Sequence, residues 1–228
     1  MNGARYPIDP MPPEIAALRE SAEPVWIFAY GSLMWNPEMP FAERRPALLR
    51  GWHRSFCLYS PEYRGTRERP GLVLGLDRGG ACRGVVYRLP QDRLTEAIDL
   101  VWSREMTGFV YRMRPVTVTT PQGRVAAHAF TVRRDSRDYA GRLPLDDVAR
   151  ILAVCAGDRG TGRDYLGNTV RHLEELGIAD GPLHRLAERV AALPAPQPHF
   201  EYAQLVHWSQ FSMRMRAASP HLGHCRRR

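Results

Sequence analysis

The sequence contains no lysine, so all 32 of its basic side chains are arginine. It also contains no apolar run approaching the roughly 20 residues that a membrane-spanning helix needs. The N-terminal stretch "MNGARYPIDPMPPEIAALRE" lacks the apolar core of a secretory signal. These absences argue against a membrane protein and against a secreted one, and we therefore expect a soluble, cytoplasmic protein.

Cysteine is scarce and forms no C-x-x-C pair, which excludes a metal knuckle and a dithiol redox motif on sequence grounds. The cysteines are far apart in the chain: Cys57, Cys82, Cys155 and Cys225. We expect free thiols of a reducing compartment rather than disulfides. The histidines show no triad or metal-ligand spacing, so His53 and His128 are interpreted as structural.

The formal net charge is +8. A basic protein can attract nucleic acid through its phosphates, and it can equally attract a small anionic substrate. Proteins that bind single-stranded nucleic acid interleave basic clusters with exposed aromatic side chains. Here the arginines are dispersed and most aromatic residues lie in apolar runs, so we expect no nucleic-acid partner.

Hydrophobic patterning predicts one α+β domain over residues 25–193, with strands that pair largely antiparallel. A proline-rich arm (residues 1–24), with a short helix in "PPEIAALRE", precedes it, and a linker with a basic tail (residues 194–228) follows. The predicted strands are "VWIFAYGSL", a segment from His53 to Tyr59, and two strands joined by "PQG". "LVLGLDRGGACRGVVYRL" is interpreted as a hairpin that turns at Asp77–Gly80.

Helices are predicted over "PQDRLTEAIDLVWSREM", "LPLDDVARILAVCAG", "GRDYLGNTVRHLEELGI" and "GPLHRLAERVAAL". Gly157 and Gly177 are interpreted as helix stop signals. In the first helix, Leu94, Ile98, Val101 and Glu105 fall at spacings of four, three and four, which places them on one stripe. A carboxylate on an apolar stripe is costly unless it is paired or its pKa shifts. The pattern leaves two readings of Glu105 open: a salt bridge to one of the many arginines, or a functional carboxylate.

The segment "AYGSL" ends the first predicted strand. Gly31 removes the Cβ that would block a close backbone approach, and Ser32 offers a hydroxyl. Successive N–H groups at such a turn can form an anion-binding nest. An ordinary turn from strand to loop would explain the same residues, and the pattern does not decide between the two.

Several segments together resemble the ChaC family of γ-glutamylcyclotransferases, in the family's order and at about its spacing. They are "VWIFAYGSLMWNP", "RGWHRSFCLYSPEYRGTRERPGLVLGL", "CRGVVYRLP", "WSREMTGFVY" and "GRDYLGNTVRHLEELGI". The resemblance covers residues 25–193. It implies a barrel-like, mixed but largely antiparallel sheet with flanking helices. It also implies cleavage of glutathione into 5-oxoproline and cysteinylglycine, with no metal, nucleotide or other cofactor and no covalent nucleophile.

By the same resemblance, the catalytic glutamate is Glu105 and the bend that binds substrate comprises Ala29, Tyr30, Gly31, Ser32, Leu33 and Met34. Many relatives have glycine where this chain has Ala29. The resemblance also brings Tyr165 near the site. Other γ-glutamyl amines or amino acids remain an alternative substrate class.

Three arginines in or near the predicted loops suit an anionic substrate: Arg54, Arg64 and Arg67. Each could equally be a surface charge. Cys57 lies beside Phe56 in a predicted strand and is interpreted as a packing residue rather than a nucleophile.

Overall fold

The N-terminal segment packs on the rest of the chain. In the computed structural model, residues 7–194 are described. The segment forms a short helix, α1 (Pro13–Ala16), and a 3-10 turn (Ala17–Glu20), as the sequence predicts. The predicted arm therefore holds the expected helix, while the predicted tail beyond Pro194 lies outside the described residues.

Five strands close into a barrel in the order β1-β3-β2-β4-β5. Their bounds are β1 (Trp26–Ala29), β2 (Glu43–Ser60), β3 (Gly71–Arg88), β4 (Tyr111–Thr120) and β5 (Gly123–Val132). Neighbouring strands pair antiparallel except β1 and β5, which are parallel and complete the closure. The expected α+β, mixed and largely antiparallel barrel is confirmed.

The prediction of a hairpin at Asp77–Gly80 is wrong, because β3 continues through these residues. It pairs with β2 along its full length, and Arg50 lies opposite Ala81 while Trp52 lies opposite Arg78. One residue of β2, Gly51, therefore faces two glycines of β3, and all three have positive φ. The glycines form a bulge, which bends a strand pair without reversing it.

Both faces of β1 are buried. Trp26 and Phe28 pack with residues of the other strands inside the barrel. Ile27 and Ala29 belong to a second apolar cluster that also includes residues of the helices. Because side chains alternate along a strand, a continuous apolar run is what a strand between two cores requires.

The remaining helices cover the barrel. They are α2 (Leu94–Glu105), α3 (Leu145–Val154), α4 (Gly162–Glu175) and α5 (Gly181–Ala191), and a two-stranded hairpin (β6, Ala156–Gly157; β7, Gly160–Thr161) lies between α3 and α4. Gly177 has φ +65°, and the N–H of Ile178 bonds the carbonyl of Leu173, so this glycine ends α4 as predicted. Within residues 7–194, no helix is both long enough and apolar enough to cross a bilayer.

Candidate active site

A cavity of about 370 Å³ lies where the end of α2, the bend after β1, the loop after β2 and the start of α4 meet. Its lining includes two groups, each of residues that contact one another: Ser32, Arg104 and Glu105, and Tyr63, Arg64 and Arg159. We call these the glutamate wall and the arginine wall. A cavity of about 440 Å³ elsewhere is lined by mostly apolar and small residues, with one carboxylate and no arginine. A third cavity, of about 300 Å³, is rich in arginine and aspartate but includes neither Glu105 nor any residue of the bend.

Glu105 reaches the cavity because it is the last residue of α2. Leu94, Ile98 and Val101 of the same stripe are buried and anchor the helix in the core. The helix then ends, and the N–H of Met106 bonds the carbonyl of Trp102 at 2.8 Å. The Glu105 side chain is 16% exposed, which places a carboxyl group at the edge between core and cavity.

Burial raises the pKa of Glu105 above its usual value, and the neighbouring Arg104 opposes this shift without cancelling it. Arg104 donates through Nε to Oε1 of Glu105 at 3.1 Å. The salt bridge to an arginine that the sequence allowed is present, and the same carboxyl group has a raised pKa beside a cavity. A raised pKa makes a carboxyl group a stronger base than an ordinary glutamate, which favours proton exchange with an amine.

Arg104 also connects α2 to the bend after β1. Its Nη2 donates to the Ser32 hydroxyl at 3.0 Å, and its Nη1 donates to the carbonyl of Asn36. Nη1 lies 3.2 Å from a carboxylate oxygen of Glu38 as well. One guanidinium group thus holds the bend and the glutamate in a common arrangement.

The bend follows the buried strand β1 and continues as a 3-10 turn over Ser32–Met34. The first N–H groups of a helical turn have no partner inside that turn. A Cβ built on Gly31 would meet nothing within 4 Å. The glycine therefore borders open space, although its φ of −128° does not itself require glycine.

The structure brings only part of the predicted bend to the cavity surface. Ser32 lines the cavity. The side chains of Ala29, Leu33 and Met34 are buried, so these residues can meet a ligand in the cavity only through their backbone. The buried Tyr30 hydroxyl is hydrogen-bonded with Tyr111, which lines the cavity. The methyl group of Ala29 packs in the core, which explains how an alanine fits at this position.

Tyrosines form much of the remaining lining. Tyr165 lines the cavity, as expected, and burial raises its pKa to about 12, so its hydroxyl stays protonated. Tyr111 lines it too and donates to the carbonyl of Leu74 at 2.8 Å. Burial raises the pKa of Tyr111 well above its usual value, with the charge of Glu105 adding to the shift.

The three candidate arginines have different surroundings. Arg64 lines the cavity. The Arg67 side chain is 79% exposed, lies 3.6 Å from a carboxylate oxygen of Glu62, and does not line the cavity.

Arg54 is neither a loop residue nor a surface charge, because its side chain is 0% exposed within β2. It donates to the carbonyl of Tyr30 at 2.6 Å and to the carboxylate of Asp180 at 2.8 Å. Asp180 in turn caps α5 by accepting from the N–H of Leu183. Arg54 therefore holds the start of the bend from within the core. The suggestion that its side chain contacts substrate is wrong, and its role is structural.

Cys57 is fully buried, and burial raises its pKa to about 12. A thiol in that state is a poor nucleophile, as expected for a packing residue. The cysteines of the described range are free thiols, and Cys225 lies outside that range. Residues 7–194 contain no cluster of side chains suited to a metal ion.

Sequence reasoning named Arg64 but missed the other two residues of the arginine wall. Arg159 and Tyr63 are 96 residues apart and carry no shared motif, so only the fold brings them together. Arg104 was adjacent to the predicted glutamate in the chain, and that adjacency was the available signal.

Comparison with known proteins gives a concordant result. A family model described as ChaC-like protein matches residues 25–193. A glutathione-specific gamma-glutamylcyclotransferase of Escherichia coli (strain K12) is 38% identical over 180 residues, covering 78% of each chain. A glutathione-specific gamma-glutamylcyclotransferase 1 of Mus musculus is 30% identical, covering 68% of this chain and 76% of that one.

Among solved structures, a gamma-glutamyl cyclotransferase specific to glutathione from yeast matches with a TM-score of 0.68 at 23% sequence identity. The match covers 74% of this chain and 96% of the yeast chain. At this level of identity the likeness shows a common fold.

Proposed function

Because the chain belongs to the ChaC-like family, we propose that it cleaves glutathione into 5-oxoproline and cysteinylglycine. The observation that carries the proposal is the position of Glu105, a carboxyl group with a raised pKa, in the cavity that Ser32 of the bend also lines. We also propose a cytoplasmic location, which suits the free thiols of the described residues.

The proposed reaction is an intramolecular acyl transfer. The α-amine of the γ-glutamyl group attacks its own γ-carbonyl carbon, a C–N bond forms to close a five-membered lactam, and the amide C–N bond to cysteinylglycine breaks. A well-oriented intramolecular attack corresponds to an effective molarity of roughly 10⁵ to 10⁸ M. Holding the substrate folded therefore supplies much of the rate enhancement, and the chemistry needs no metal, nucleotide or covalent nucleophile.

Glu105 is proposed as the general acid and base. An α-amine has a reference pKa of about 7.7 to 8.0 and is mostly protonated near neutral pH, and a protonated amine cannot attack. Glu105 takes a proton from the attacking amine and returns one to the departing nitrogen. A carboxyl group with a raised pKa suits both steps, because its affinity for the proton is closer to that of its partners.

The bend from Ala29 to Met34 is proposed to bind the γ-glutamyl head through backbone N–H groups. These groups would hold either the α-carboxylate or the oxyanion that forms on the γ-carbonyl. A donor aimed at such an oxyanion is worth about 2.7 to 4 kcal/mol. The hydroxyl of Tyr165 is a further candidate donor, since it lines the cavity and keeps its proton.

The test is to incubate the full chain with glutathione and to identify both products by mass. Equimolar 5-oxoproline and cysteinylglycine are expected, with neither formed in buffer alone. A panel of γ-glutamyl amino acids and γ-glutamyl amines should be followed by the same assay. Release of 5-oxoproline from the panel while glutathione stays intact would overturn the choice of substrate and keep the reaction class.

A further inference from the structure

We propose that Arg159, with Arg64 beside it, binds the carboxylate at the far end of the substrate and so selects γ-glutamyl peptides whose leaving part ends in a free carboxylate. The inference rests on the proposed function and deepens it. It assigns the arginine wall to recognition of the leaving group, while the glutamate wall meets the γ-glutamyl head.

The β6–β7 hairpin reaches the cavity through a close backbone contact at Gly157. A Cβ on this glycine would lie 2.3 Å from the carbonyl oxygen of Glu62 and 2.6 Å from the nitrogen of Gly65. The sequence suggested a helix stop here, but α3 ends earlier, at Val154. The glycine instead lets the hairpin lie directly against the loop that follows β2.

Backbone hydrogen bonds then place Arg159. The N–H of Asp158 donates to the carbonyl of Glu62 at 2.9 Å, and the N–H of Arg159 donates to the carbonyl of Tyr63 at 3.0 Å. These two bonds join consecutive residues of the hairpin turn to consecutive residues of the loop. Arg159 is therefore held at the cavity by its main chain, so its side chain is not needed to maintain the contact.

Aromatic rings orient both guanidinium groups. That of Arg159 lies 4.4 Å from the centre of the Tyr63 ring, and that of Arg64 lies 4.6 Å from the centre of the Tyr165 ring. Arg64 also donates through Nη1 to the carbonyls of Arg159 and Thr161. Each guanidinium group thus stacks on a tyrosine ring, and Arg64 is hydrogen-bonded to the backbone of Arg159. The two positive charges repel each other, and a bound anion would relieve that repulsion.

The charge balance differs between the walls. Arg104 is paired with both Glu38 and Glu105. Across residues 7–194, neither Arg64 nor Arg159 forms an ion pair with a carboxylate. The pKa of Arg64 is lowered, first by burial and also by the charge of Arg159. The arginine wall therefore carries positive charge that no contact ion pair in the described chain neutralises, and the carboxylates of Glu105 and Asp164 act on it only from beyond ion-pair distance.

The substrate supplies the matching charge. Glutathione has one carboxylate on its γ-glutamyl head and a second on its glycine, at the other end of the molecule. With the head at the bend and Glu105, the glycine carboxylate needs a cationic partner elsewhere in the same cavity. A guanidinium group presents a planar fork of donors that a carboxylate can engage with both oxygens.

The experiment crosses one enzyme variant with one change in the substrate. Full-length wild type and Arg159→Gln are assayed for 5-oxoproline release from glutathione and from its glycine carboxamide, in which a neutral amide replaces the carboxylate. On glutathione, Arg159→Gln should lower kcat/KM by roughly 10- to 100-fold, as loss of a charge-assisted hydrogen bond does, and chiefly through KM. Because the charge of Arg159 also lowers the pKa of Glu105, both enzymes are assayed on the pH plateau above the acid limb. There the two enzymes should match on the carboxamide, which also shows that the variant is folded.

Arg124→Gln is the matched control, since Arg124 is exposed on β5 and does not line the cavity; it should behave as wild type on both compounds. An equal loss on both compounds, or no loss on glutathione, would overturn the role of Arg159 while leaving the proposed function in place. Failure of wild type to release 5-oxoproline from either compound would overturn the proposed function and this inference with it.

Discussion

The two walls of the cavity hold their arginines in opposite ways. On the glutamate wall, Arg104 is surrounded by two carboxylates, a hydroxyl and a carbonyl. On the arginine wall, Arg159 has a tyrosine ring beneath it and no carboxylate within ion-pair distance in the described chain. The first arrangement sets the protonation of a neighbouring acid, and the second leaves charge available for a ligand. One residue type thus serves two purposes according to what surrounds it.

If the glutamate wall performs the chemistry and the arginine wall binds the leaving group, Glu105→Gln should give the largest loss of activity. That loss should appear in kcat and not in KM. The amide cannot accept the proton of the attacking amine, so kcat should fall by about 10²- to 10⁴-fold. KM should change far less than in Arg159→Gln. Release of 5-oxoproline measures the rate, and circular dichroism checks the fold.

Glu96→Gln is a matched control on the exposed side of the same helix, and it should keep full activity. A folded Glu105→Gln enzyme with near-normal turnover would remove this glutamate from the mechanism.

A third arginine, Arg54, is buried in the core and should contribute to the free energy of unfolding. Arg54→Met leaves the carboxylate of Asp180 and the carbonyl of Tyr30 without their buried partner. Removing one member of a buried ion pair costs about 3–5 kcal/mol, and we expect that loss in the free energy of unfolding measured with urea.

Arg19→Met breaks an ion pair with Asp99 at the surface and serves as the comparison. It should cost only about 0–1 kcal/mol. Equal losses in the two variants would show that the buried pair does not hold the bend to α5.

Gly31 tests whether substrate approaches the bend. A Cβ at Gly31 would meet nothing within 4 Å, so we expect Gly31→Val to fold, which circular dichroism checks. If the γ-glutamyl head occupies that space, the added side chain should crowd it and lower kcat/KM about five- to hundredfold, which corresponds to the cost of about 1–3 kcal/mol for overpacking.

Gly31→Ala, with a single added methyl group, should give a smaller loss. Full activity of the valine variant would mean that substrate does not come near this glycine.

The smallest effect is expected in the pH dependence of kcat/KM. The base must be deprotonated to act, so activity should fall as the pH drops through the pKa of Glu105. Burial raises that pKa, Arg104 lowers it, Glu38 raises it, and Arg159 lowers it by a smaller amount. Arg104→Gln should therefore move the acid limb to higher pH, and Glu38→Gln should move it to lower pH. Shifts of the same sign in both variants would contradict this account.

Glu105 and Ser32 of the glutamate wall could be predicted from the sequence because their signals are local. The stripe from Leu94 to Glu105 depends on helical spacing alone, and the bend depends on a strand that ends just before Gly31. The helices and most strands were readable for the same reason, and β2 was only shorter in the prediction than in the structure.

The features that the sequence could not predict depend on contacts between distant segments. Gly79 and Gly80 have the composition of a hairpin turn, but pairing with Gly51 across the sheet makes them part of a bulge. Gly157 follows a predicted helix, as a helix stop would, but glycine is needed there because the backbone near Glu62 packs directly against it. In each case the structural role of the glycine depends on the residue that packs or pairs with it.

The segment ahead of the matched family span grips the end of α2. The N–H of Asp9 bonds the carbonyl of Met106 at 2.7 Å, its carbonyl accepts from the indole of Trp102 at 2.8 Å, and its carboxylate accepts from the N–H of Phe109 at 3.1 Å. A chain trimmed to begin at residue 25 would lose all three of these hydrogen bonds, which surround the proposed acid and base Glu105. In this protein, a domain boundary placed at the start of the matched family span would therefore remove contacts that hold the end of α2, where Glu105 lies.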